Sequence, residues 1–140
     1  MKPPDPGKQV TPMSAPAIKY GPQTIDDFDA LPEDTTRRYE LIDGAVIVRS
    51  RPTVVHQDVM AQLLIALDSA LPPGYRVVTE VEVAFPRDNK QCCVPDLVVT
   101  RPGTNRRRVR FDSPDLVLAV EILSGPTRLD REEKRRIYAA

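Results

Sequence analysis

Two acidic residues interrupt apolar, strand-favouring stretches of this sequence, and their positions point to chemistry. Asp96 lies in CVPDLVVT and Glu121 lies in DLVLAVEILS. A carboxylate inside a buried strand is costly unless it is paired, hydrogen-bonded or bound to a metal ion. If the two strands pair in the right register, both carboxylates reach one point, where their oxygen atoms suit Mg²⁺, with Mn²⁺ as a substitute. A metal ion held there would activate water and stabilise the charge that builds on a phosphodiester under attack.

The dipeptide Pro-Asp occurs twice in the chain, but only Asp96 is expected at this metal site. Asp115 lies six residues before Glu121 on the same predicted strand. At roughly 3.3 Å per residue, Asp115 and Glu121 are about 20 Å apart and cannot share a metal ion. We therefore expect Asp115 to begin its strand and Asp96 to pair with Glu121.

Two further residues are candidates for the same site. Asp130, Lys134 and Tyr138 fall at i, i+4 and i+8 of a predicted final helix and form one polar stripe. The stripe is either a surface ion pair or the means of placing the Lys134 ammonium beside the metal, where it would orient water or stabilise the transition state. Glu40, in YELIDG, is either an ordinary exposed strand residue or a third carboxylate that supports the metal.

The elements that must position these residues are signalled locally. The stretch TIDDFDALP predicts a short helix with Thr24 as its N-cap and Asp27 at N3. In YELIDGAVIVRS, Asp43-Gly44 predicts the tight turn of a hairpin. Apolar residues at helical spacing predict a helix over HQDVMAQLLIALDSAL, opened by His56.

Strands and a last helix complete the predicted fold. RVVTEVEVAF alternates as one strand with Glu80 and Glu82 on its polar face, and the two apolar strands described above follow. A helix opened by Pro126 and Thr127 comes last. The order of helix, hairpin, helix, three strands and helix predicts an α/β or α+β domain with a central mixed sheet.

Length and composition indicate one globular domain. The chain has 140 residues, 41% of them hydrophobic and 29% charged. Residues 1–22 contain six prolines and no hydrophobic period, so a disordered tail is expected there, with the folded domain over residues 23–140. No apolar run is long enough to span a bilayer, and the first residues lack the apolar core of a signal peptide, which predicts no membrane partner and a cytoplasmic location.

The net charge and the cysteine positions argue against a dedicated nucleic-acid binder and against a disulfide or a cysteine metal site. The formal net charge is zero, which is not the footprint of a dedicated nucleic-acid binder. The basic run NRRRVR (Arg106, Arg107, Arg108 and Arg110) is either a solvated loop, the favoured interpretation, or a phosphate contact. The adjacent Cys92 and Cys93 are expected to be small apolar strand residues rather than a disulfide or metal ligands.

The chain resembles the Uma-two family of restriction-endonuclease-like proteins, assigned to the PD-(D/E)XK nuclease superfamily. The resemblance runs from about Thr24 to the end and rests on five motifs in order: YELIDG, a histidine opening a helix, VPDLVV, DLVLAVEILS and D-x-x-x-K-x-x-x-Y. It implies a restriction-endonuclease-like core, with a central mixed sheet flanked by helices and the active site at one end of the sheet.

The resemblance also implies roles for single residues. Asp96 matches the aspartate of the PD motif, Glu121 the acidic residue of the (D/E)XK half, and Glu40 an early acidic residue that helps to bind metal. Leu123 stands where the superfamily usually has lysine. The family is thought to have moved that lysine to the following helix, which makes Lys134 the catalytic candidate.

Other family positions match with less definite roles. His56 matches one and is expected to be a structural hydrogen-bonding residue, while Asp130 and Tyr138 match the same signature as Lys134. Family members usually continue past the tyrosine into a further strand, so the domain over residues 23–140 is expected to lack its C-terminal segment.

The expected activity is that of a Mg²⁺-dependent endonuclease that hydrolyses DNA phosphodiester bonds. Cutting both strands of a duplex calls for two symmetry-related sites, which is compatible with a homodimer. The alternative is a catalytically silent domain that keeps the fold to bind nucleic acid or a protein, and binding of a divalent ion would distinguish the two. A phosphohydrolase of small nucleotides has less support because the sequence has no glycine-rich phosphate loop.

Overall fold

The computed structural model describes residues 23–123 and 132–139 of the chain. The described helices are α1 (Ile25–Asp29), α2 (Val54–Ala70) and α3 (Lys134–Tyr138). The described strands are β1 (Tyr39–Ile42), β2 (Ala45–Val48), β3 (Arg76–Thr79), β4 (Val83–Ala84), β5 (Cys92–Cys93), β6 (Leu97–Thr100), β7 (Phe111–Asp112) and β8 (Leu116–Val120). The predicted tail, the predicted helix start at Pro126 and Thr127, and Asp130 lie outside the described residues.

The strands form two sheets. The first has the order β2-β1-β5-β4-β7, in which all neighbours are antiparallel except the parallel pair β4 and β7. The second has the order β3-β6-β8 and is antiparallel throughout. The predicted α+β fold with a mixed sheet and flanking helices is confirmed, with the strands divided between two sheets rather than one.

The predicted hairpin and first helix are confirmed. Asp43 and Gly44 both have positive φ, 48° and 79°, which is the backbone conformation that joins β1 to β2 with a two-residue turn. This turn fixes the register, so that Glu40 lies opposite Ile47. In α1, the Thr24 side chain accepts a hydrogen bond from the Asp27 backbone N–H, and the Asp27 side chain accepts one from Thr24 in return.

Alternation along the short strands gives the first sheet two buried faces, because successive side chains point to opposite sides. One face forms a core with α3, through Ile42, Val83, Phe85, Cys93, Phe111 and Ile137. The other face forms a core with α1, through Leu41, Ala84, Cys92 and Ile25. The two cysteines are therefore free, buried strand residues on opposite faces, as the sequence predicted.

RVVTEVEVAF is not one strand, contrary to the sequence prediction. The run breaks at Glu80, whose φ is +50°, and its two halves become β3 in the second sheet and β4 in the first. The left-handed conformation at Glu80 redirects the chain between the sheets. Glu80 and Glu82 consequently do not share a polar strand face; Glu80 pairs with Arg38 at 2.6 Å and Glu82 lies 3.9 Å from Arg110.

CVPDLVVT is likewise divided, which changes the predicted setting of Asp96. Strand β5 ends at Cys93, residues 94–96 cross from the first sheet to the second, and β6 begins at Leu97. Pro95, which has no backbone N–H to donate, lies in this crossing segment. Asp96 thus directly precedes a strand and Glu121 directly follows β8, so that neither lies inside a strand.

The predicted helix over HQDVMAQLLIALDSAL is confirmed as α2, with Thr53 as N-cap accepting from the His56 backbone N–H. Within this helix His56 and Met60 are buried, and Leu63, Leu64 and Leu67 are half-buried. Among the residues that the structure describes, no helix is both long and apolar enough to cross a membrane.

Candidate active site

Strand register brings Asp96 and Glu121 side by side. In the antiparallel pair of β6 and β8, Leu97 lies opposite Val120, so the residues just outside the strands, Asp96 and Glu121, are the next in line. The Asp96 Oδ2 atom accepts a hydrogen bond of 2.6 Å from the Ile122 backbone N–H, which ties the two strand ends together. The register on which the sequence argument depended is therefore present, and Asp96 is only 1% exposed.

Strand β1 supplies the third carboxylate. Glu40 shares its strand face with Ile42, two residues on, and so points to the side that α3 covers. It is 1% exposed, which excludes the interpretation of an ordinary exposed strand residue. Its Oε1 atom accepts a 2.6 Å hydrogen bond from the Val94 backbone N–H, in the segment that leads to Asp96.

Helix α3 brings an ammonium group to these carboxylates. Lys134 is 1% exposed and lies on the same side of the helix as the buried Ile137. Its Nζ atom is 3.0 Å from Glu40 Oε2 and 3.0 Å from Glu121 Oε1. The Tyr138 hydroxyl donates to the same Glu121 oxygen at 2.5 Å. The stripe of Lys134 and Tyr138 therefore faces the sheet and is not a surface ion pair.

The surroundings set the charge of each group. Burial by itself lowers the pKa of Lys134, but the negative charges of Glu121 and Glu40 outweigh it and raise that pKa, so the ammonium stays protonated. Burial raises the pKa of Glu121, against the opposing effects of Lys134 and the Tyr138 hydrogen bond. Burial and the charge of Glu121 raise the pKa of Tyr138, which keeps its hydroxyl a donor.

Arg49 is a member of the site that the sequence argument missed. Its Nη2 atom lies 3.4 Å from Asp96 Oδ1 and 3.7 Å from Glu121 Oε2, and its Nε atom lies 3.9 Å from Glu40 Oε2. Burial alone lowers the pKa of Arg49, but the three carboxylates raise it overall. The register of the hairpin could have indicated this residue. Arg49 pairs with Arg38, one position beyond the end of β2, and so lies on the same strand face as Glu40.

His56 is a hydrogen-bonding partner of Asp96. Its Nε2 atom lies 3.1 Å from Asp96 Oδ2, and the side chain is buried in the first turn of α2. Its Nδ1 atom is buried and has no hydrogen-bond partner among the described residues. This placement agrees with the expected structural hydrogen-bonding role, although the group that His56 holds is a carboxylate of the site itself.

The remaining charged candidates lie elsewhere. Asp115 accepts hydrogen bonds from the Asp112 backbone N–H and from Arg108, both at 3.0 Å, in the short turn before β8. Arg108 also pairs with the Asp112 side chain, and Arg110 pairs with Asp29 of α1. Asp115 is thus separate from the acidic cluster, and these two arginines of the basic run have partners within the fold.

The carboxylate oxygens of the cluster are ligands of the type that a hard divalent cation prefers. Each of its three carboxylates has one oxygen held by hydrogen bonds from the protein and a second oxygen directed at Arg49. The second oxygen of Glu40 also contacts the Lys134 ammonium at 3.0 Å. Three converging carboxylate oxygens are the ligand type that Mg²⁺ takes. Within residues 23–123 and 132–139, however, no group of three or more His, Cys, Asp or Glu side chains is already arranged to hold a metal ion. The predicted metal ligands Asp96, Glu121 and Glu40 stay a prediction.

A basic cleft adjoins the cluster. Its volume is about 550 Å³, and its lining includes Arg37, Arg38, Arg49, Arg51 and the carboxylate of Glu80. Arg49 is the residue that belongs to both the cleft and the carboxylate cluster. The cleft therefore offers a cationic approach to the acidic centre.

Comparison with known proteins identifies the family. The Uma2 profile, described as "Putative restriction endonuclease", matches residues 25–140. No curated protein matches the sequence. Among solved structures, the chain is similar to the crystal structure of "a putative nuclease belonging to DUF820" from Anabaena variabilis, with a TM-score of 0.59 and 23% identity over 84% of this chain and 65% of that chain. That likeness shows the fold, over less than two thirds of the neighbour's length. Because the profile covers most of the sequence, the chain belongs to the Uma2 family, and the resemblance in its motifs is confirmed.

Proposed function

We propose that this member of the Uma2 family is a metal-dependent endonuclease that hydrolyses phosphodiester bonds of DNA. One observation carries the proposal: Glu40, Asp96, Glu121 and Lys134 converge in a buried centre beside the ends of β6 and β8. The family description and the fold of the solved neighbour support the nuclease class.

Each residue has a distinct part in the proposed mechanism. Asp96 and Glu121 would hold the metal ion and Glu40 would support it, through the oxygens that now face Arg49. When bound, Mg²⁺ supplies an activated water and stabilises charge on the phosphoryl oxygens. Lys134, whose raised pKa keeps it protonated, acts as a fixed positive charge that orients the water and stabilises the transition state, and not as a general base.

The cleft beside the centre supports a nucleic-acid substrate. A strand of nucleic acid presents a row of phosphates, and arginine forks bind phosphate oxygens in two-pronged geometry. Arg37, Arg38 and Arg51 line the cleft and are exposed. They would hold the backbone on either side of the scissile bond. A homodimer would place two such centres on a duplex, and this oligomeric state stays a prediction.

The test compares the two Pro-Asp aspartates of the chain. Asp96→Asn removes one charge from the proposed metal site, and Asp115→Asn is the matched control at a position outside it. We expect saturable Mn²⁺ binding by calorimetry for the wild type and Asp115→Asn, and its loss in Asp96→Asn. In plasmid cleavage with Mg²⁺, we expect a rate at least about a hundredfold lower for Asp96→Asn and none with a chelator, because the metal step is lost.

The second candidate function is a silent domain that binds nucleic acid or a protein. The pairing of Arg49 with the three carboxylates favours it, because that pairing compensates buried charge without any metal ion. A folded wild-type chain that neither binds Mn²⁺ nor cleaves DNA would support this function and refute the nuclease.

A further inference from the structure

The guanidinium of Arg49 lies where the carboxylates of the site converge, but it is not tightly bound to them. Its distances to Asp96, Glu121 and Glu40 are 3.4, 3.7 and 3.9 Å. Charge-assisted hydrogen bonds between arginine and carboxylate are typically about 2.7–2.9 Å long. The close contact of Arg49 is instead a hydrogen bond from Nη1 to the Val94 carbonyl oxygen. Arg49 therefore compensates the acidic charges without being locked onto any one of them.

Each of the three carboxylates directs one oxygen at Arg49, and for Glu40 that oxygen, Oε2, also lies 3.0 Å from the Lys134 Nζ atom. Asp96 uses Oδ2 for the Ile122 N–H, Glu121 uses Oε1 for Lys134 and Tyr138, and Glu40 uses Oε1 for the Val94 N–H. The second oxygen of each carboxylate is within 4 Å of the guanidinium. A divalent ion would need the same three oxygens, so it and Arg49 cannot both occupy this position.

The charge balance favours exchange. Among the described residues of the cluster, three carboxylates face two cations, Lys134 and Arg49, which leaves one negative charge; His56 adds a positive charge only if it is protonated. A divalent ion in place of Arg49 would bring the same cluster to zero. A divalent ion added beside Arg49 would leave one positive charge in a buried centre, which is unfavourable.

The cleft provides a place for the displaced side chain. Arg49 already lines it, with 18% of its side chain exposed. Arg51, two residues on, also lines the cleft and makes no ion pair with a described residue. A phosphate in the cleft could therefore contact Arg49 and Arg51, which flank the exposed Ser50.

We propose that Arg49 is a displaceable counter-cation: a divalent ion replaces its guanidinium among the three carboxylates, and the released guanidinium binds a phosphate of the substrate in the cleft. This proposal rests on the proposed nuclease function, because it needs both a metal ion and a phosphodiester. It assigns Arg49 a positioning role that couples metal binding to substrate binding.

Metal affinity tests the exchange without any cleavage assay. Arg49→Gln removes the charge but keeps an N–H donor for the Val94 carbonyl oxygen, and Arg51→Gln is the matched control in the cleft. We expect calorimetry to give Mn²⁺ affinity at least about tenfold higher for Arg49→Gln than for the wild type, because no cation has to be displaced. Arg51→Gln should stay within about twofold of the wild type.

Affinity for DNA tests the second part of the proposal, the binding of a substrate phosphate by the released Arg49. With Ca²⁺, a divalent ion that takes the same oxygen ligands, a labelled duplex should bind Arg49→Gln about tenfold more weakly than wild type in fluorescence anisotropy. With a chelator in place of Ca²⁺, the two proteins should bind alike, because Arg49 then faces the carboxylates. Arg51→Gln should weaken binding under both conditions.

The outcomes separate this proposal from the function on which it rests. Equal or weaker Mn²⁺ binding by Arg49→Gln would overturn the exchange while leaving a metal-dependent nuclease in place. An equal effect of Arg49→Gln on DNA binding with and without Ca²⁺ would also overturn it. If neither the wild type nor Arg49→Gln binds Mn²⁺, both this proposal and the nuclease function fail. If Arg49→Gln does not fold, Arg49→Lys, which keeps the charge, replaces it. We then expect Arg49→Lys to bind Mn²⁺ with wild-type affinity and to bind DNA more weakly.

Discussion

Replacing Lys134 by methionine removes the buried positive charge of the site with little change in side-chain volume. The ammonium lies 3.0 Å from an oxygen of Glu40 and 3.0 Å from an oxygen of Glu121, and it is 1% exposed. Deleting one partner of a buried ion pair leaves an uncompensated charge and destabilises by about 3–5 kcal/mol. We therefore expect Lys134→Met to lower the free energy of unfolding by about that amount in metal-free buffer.

The measurement is urea unfolding followed by far-ultraviolet circular dichroism, since the chain has no tryptophan. Arg135→Met is the matched control, because Arg135 is the next residue of α3 and is exposed. Its effect should stay within about 0.5 kcal/mol, as for ordinary surface substitutions. A domain of this size has about 5–15 kcal/mol to lose, so the variant should still fold. If it does not, Lys134→Arg keeps the charge and should restore folding.

In Lys134→Met, metal binding should restore part of the stability but not the cleavage activity. Removing a positive charge from Glu40 and Glu121 leaves these carboxylates freer to bind Mn²⁺, so saturating Mn²⁺ should recover part of the lost stability and metal affinity should not fall. Cleavage should nevertheless fall sharply, because the charge that stabilises the transition state is gone. The reasoning is refuted if Lys134→Met is as stable as Arg135→Met, or if metal affinity and cleavage are lost to the same extent.

Three further outcomes are expected. Burial raises the pKa of Cys92 to about 11 and that of Cys93 further, so the contribution of Cys92 to stability is full below pH 9 and is lost as the pH rises through about 11, and that of Cys93 is lost at still higher pH; rapid labelling of either thiol by Ellman's reagent at pH 8 in the folded protein would contradict this. His56→Leu keeps a similar side-chain volume but removes the hydrogen bond to Asp96, which should lower the free energy of unfolding by about 1–3 kcal/mol in urea titrations and weaken Mn²⁺ binding; unchanged values of both would exclude the assigned contact. Arg110→Ala breaks a partly exposed ion pair, so a loss of at most about 1 kcal/mol and unchanged DNA affinity are expected; a tenfold weaker affinity would instead make the basic run a phosphate contact.

The parts of the fold that could be predicted from the sequence are those with a local physical cause. The capping residues of α1, Thr24 and Asp27, meet within one turn of the chain. Asp43 and Gly44 are residue types that tolerate the positive φ of a hairpin turn. In both cases the residues that decide the structure lie beside the structure they decide.

The strand breaks could not be predicted in the same way. Glu80 is a residue that rarely adopts positive φ, and nothing in its neighbours announces that it will. Its backbone N–H donates to the Asp96 carbonyl oxygen, sixteen positions away in sequence. The division of RVVTEVEVAF and CVPDLVVT between two sheets is thus fixed by tertiary hydrogen bonds, which alternation of residue types does not encode.

The site shows the same contrast. Asp96 and Glu121 could be found because a carboxylate in an apolar run conflicts with its surroundings. Arg49 could not be found by that criterion, since it follows a strand in RSRP, where an arginine is unexceptional. Only the hairpin register, extended by one pair beyond β2, places it on the face of Glu40.

The buried charges are the feature that stability alone does not explain. Replacing a buried ion pair by well-packed apolar residues is often neutral or stabilising, so a domain that needed only to fold would have no cause to keep Glu40, Lys134 and Asp96 at 1% exposure. A small cation can reach oxygens that a protein or a nucleic acid base cannot. With three carboxylates set against the charges of Lys134 and Arg49, charge balance favours such a cation in place of Arg49, and it is there that metal binding and phosphate binding would be joined.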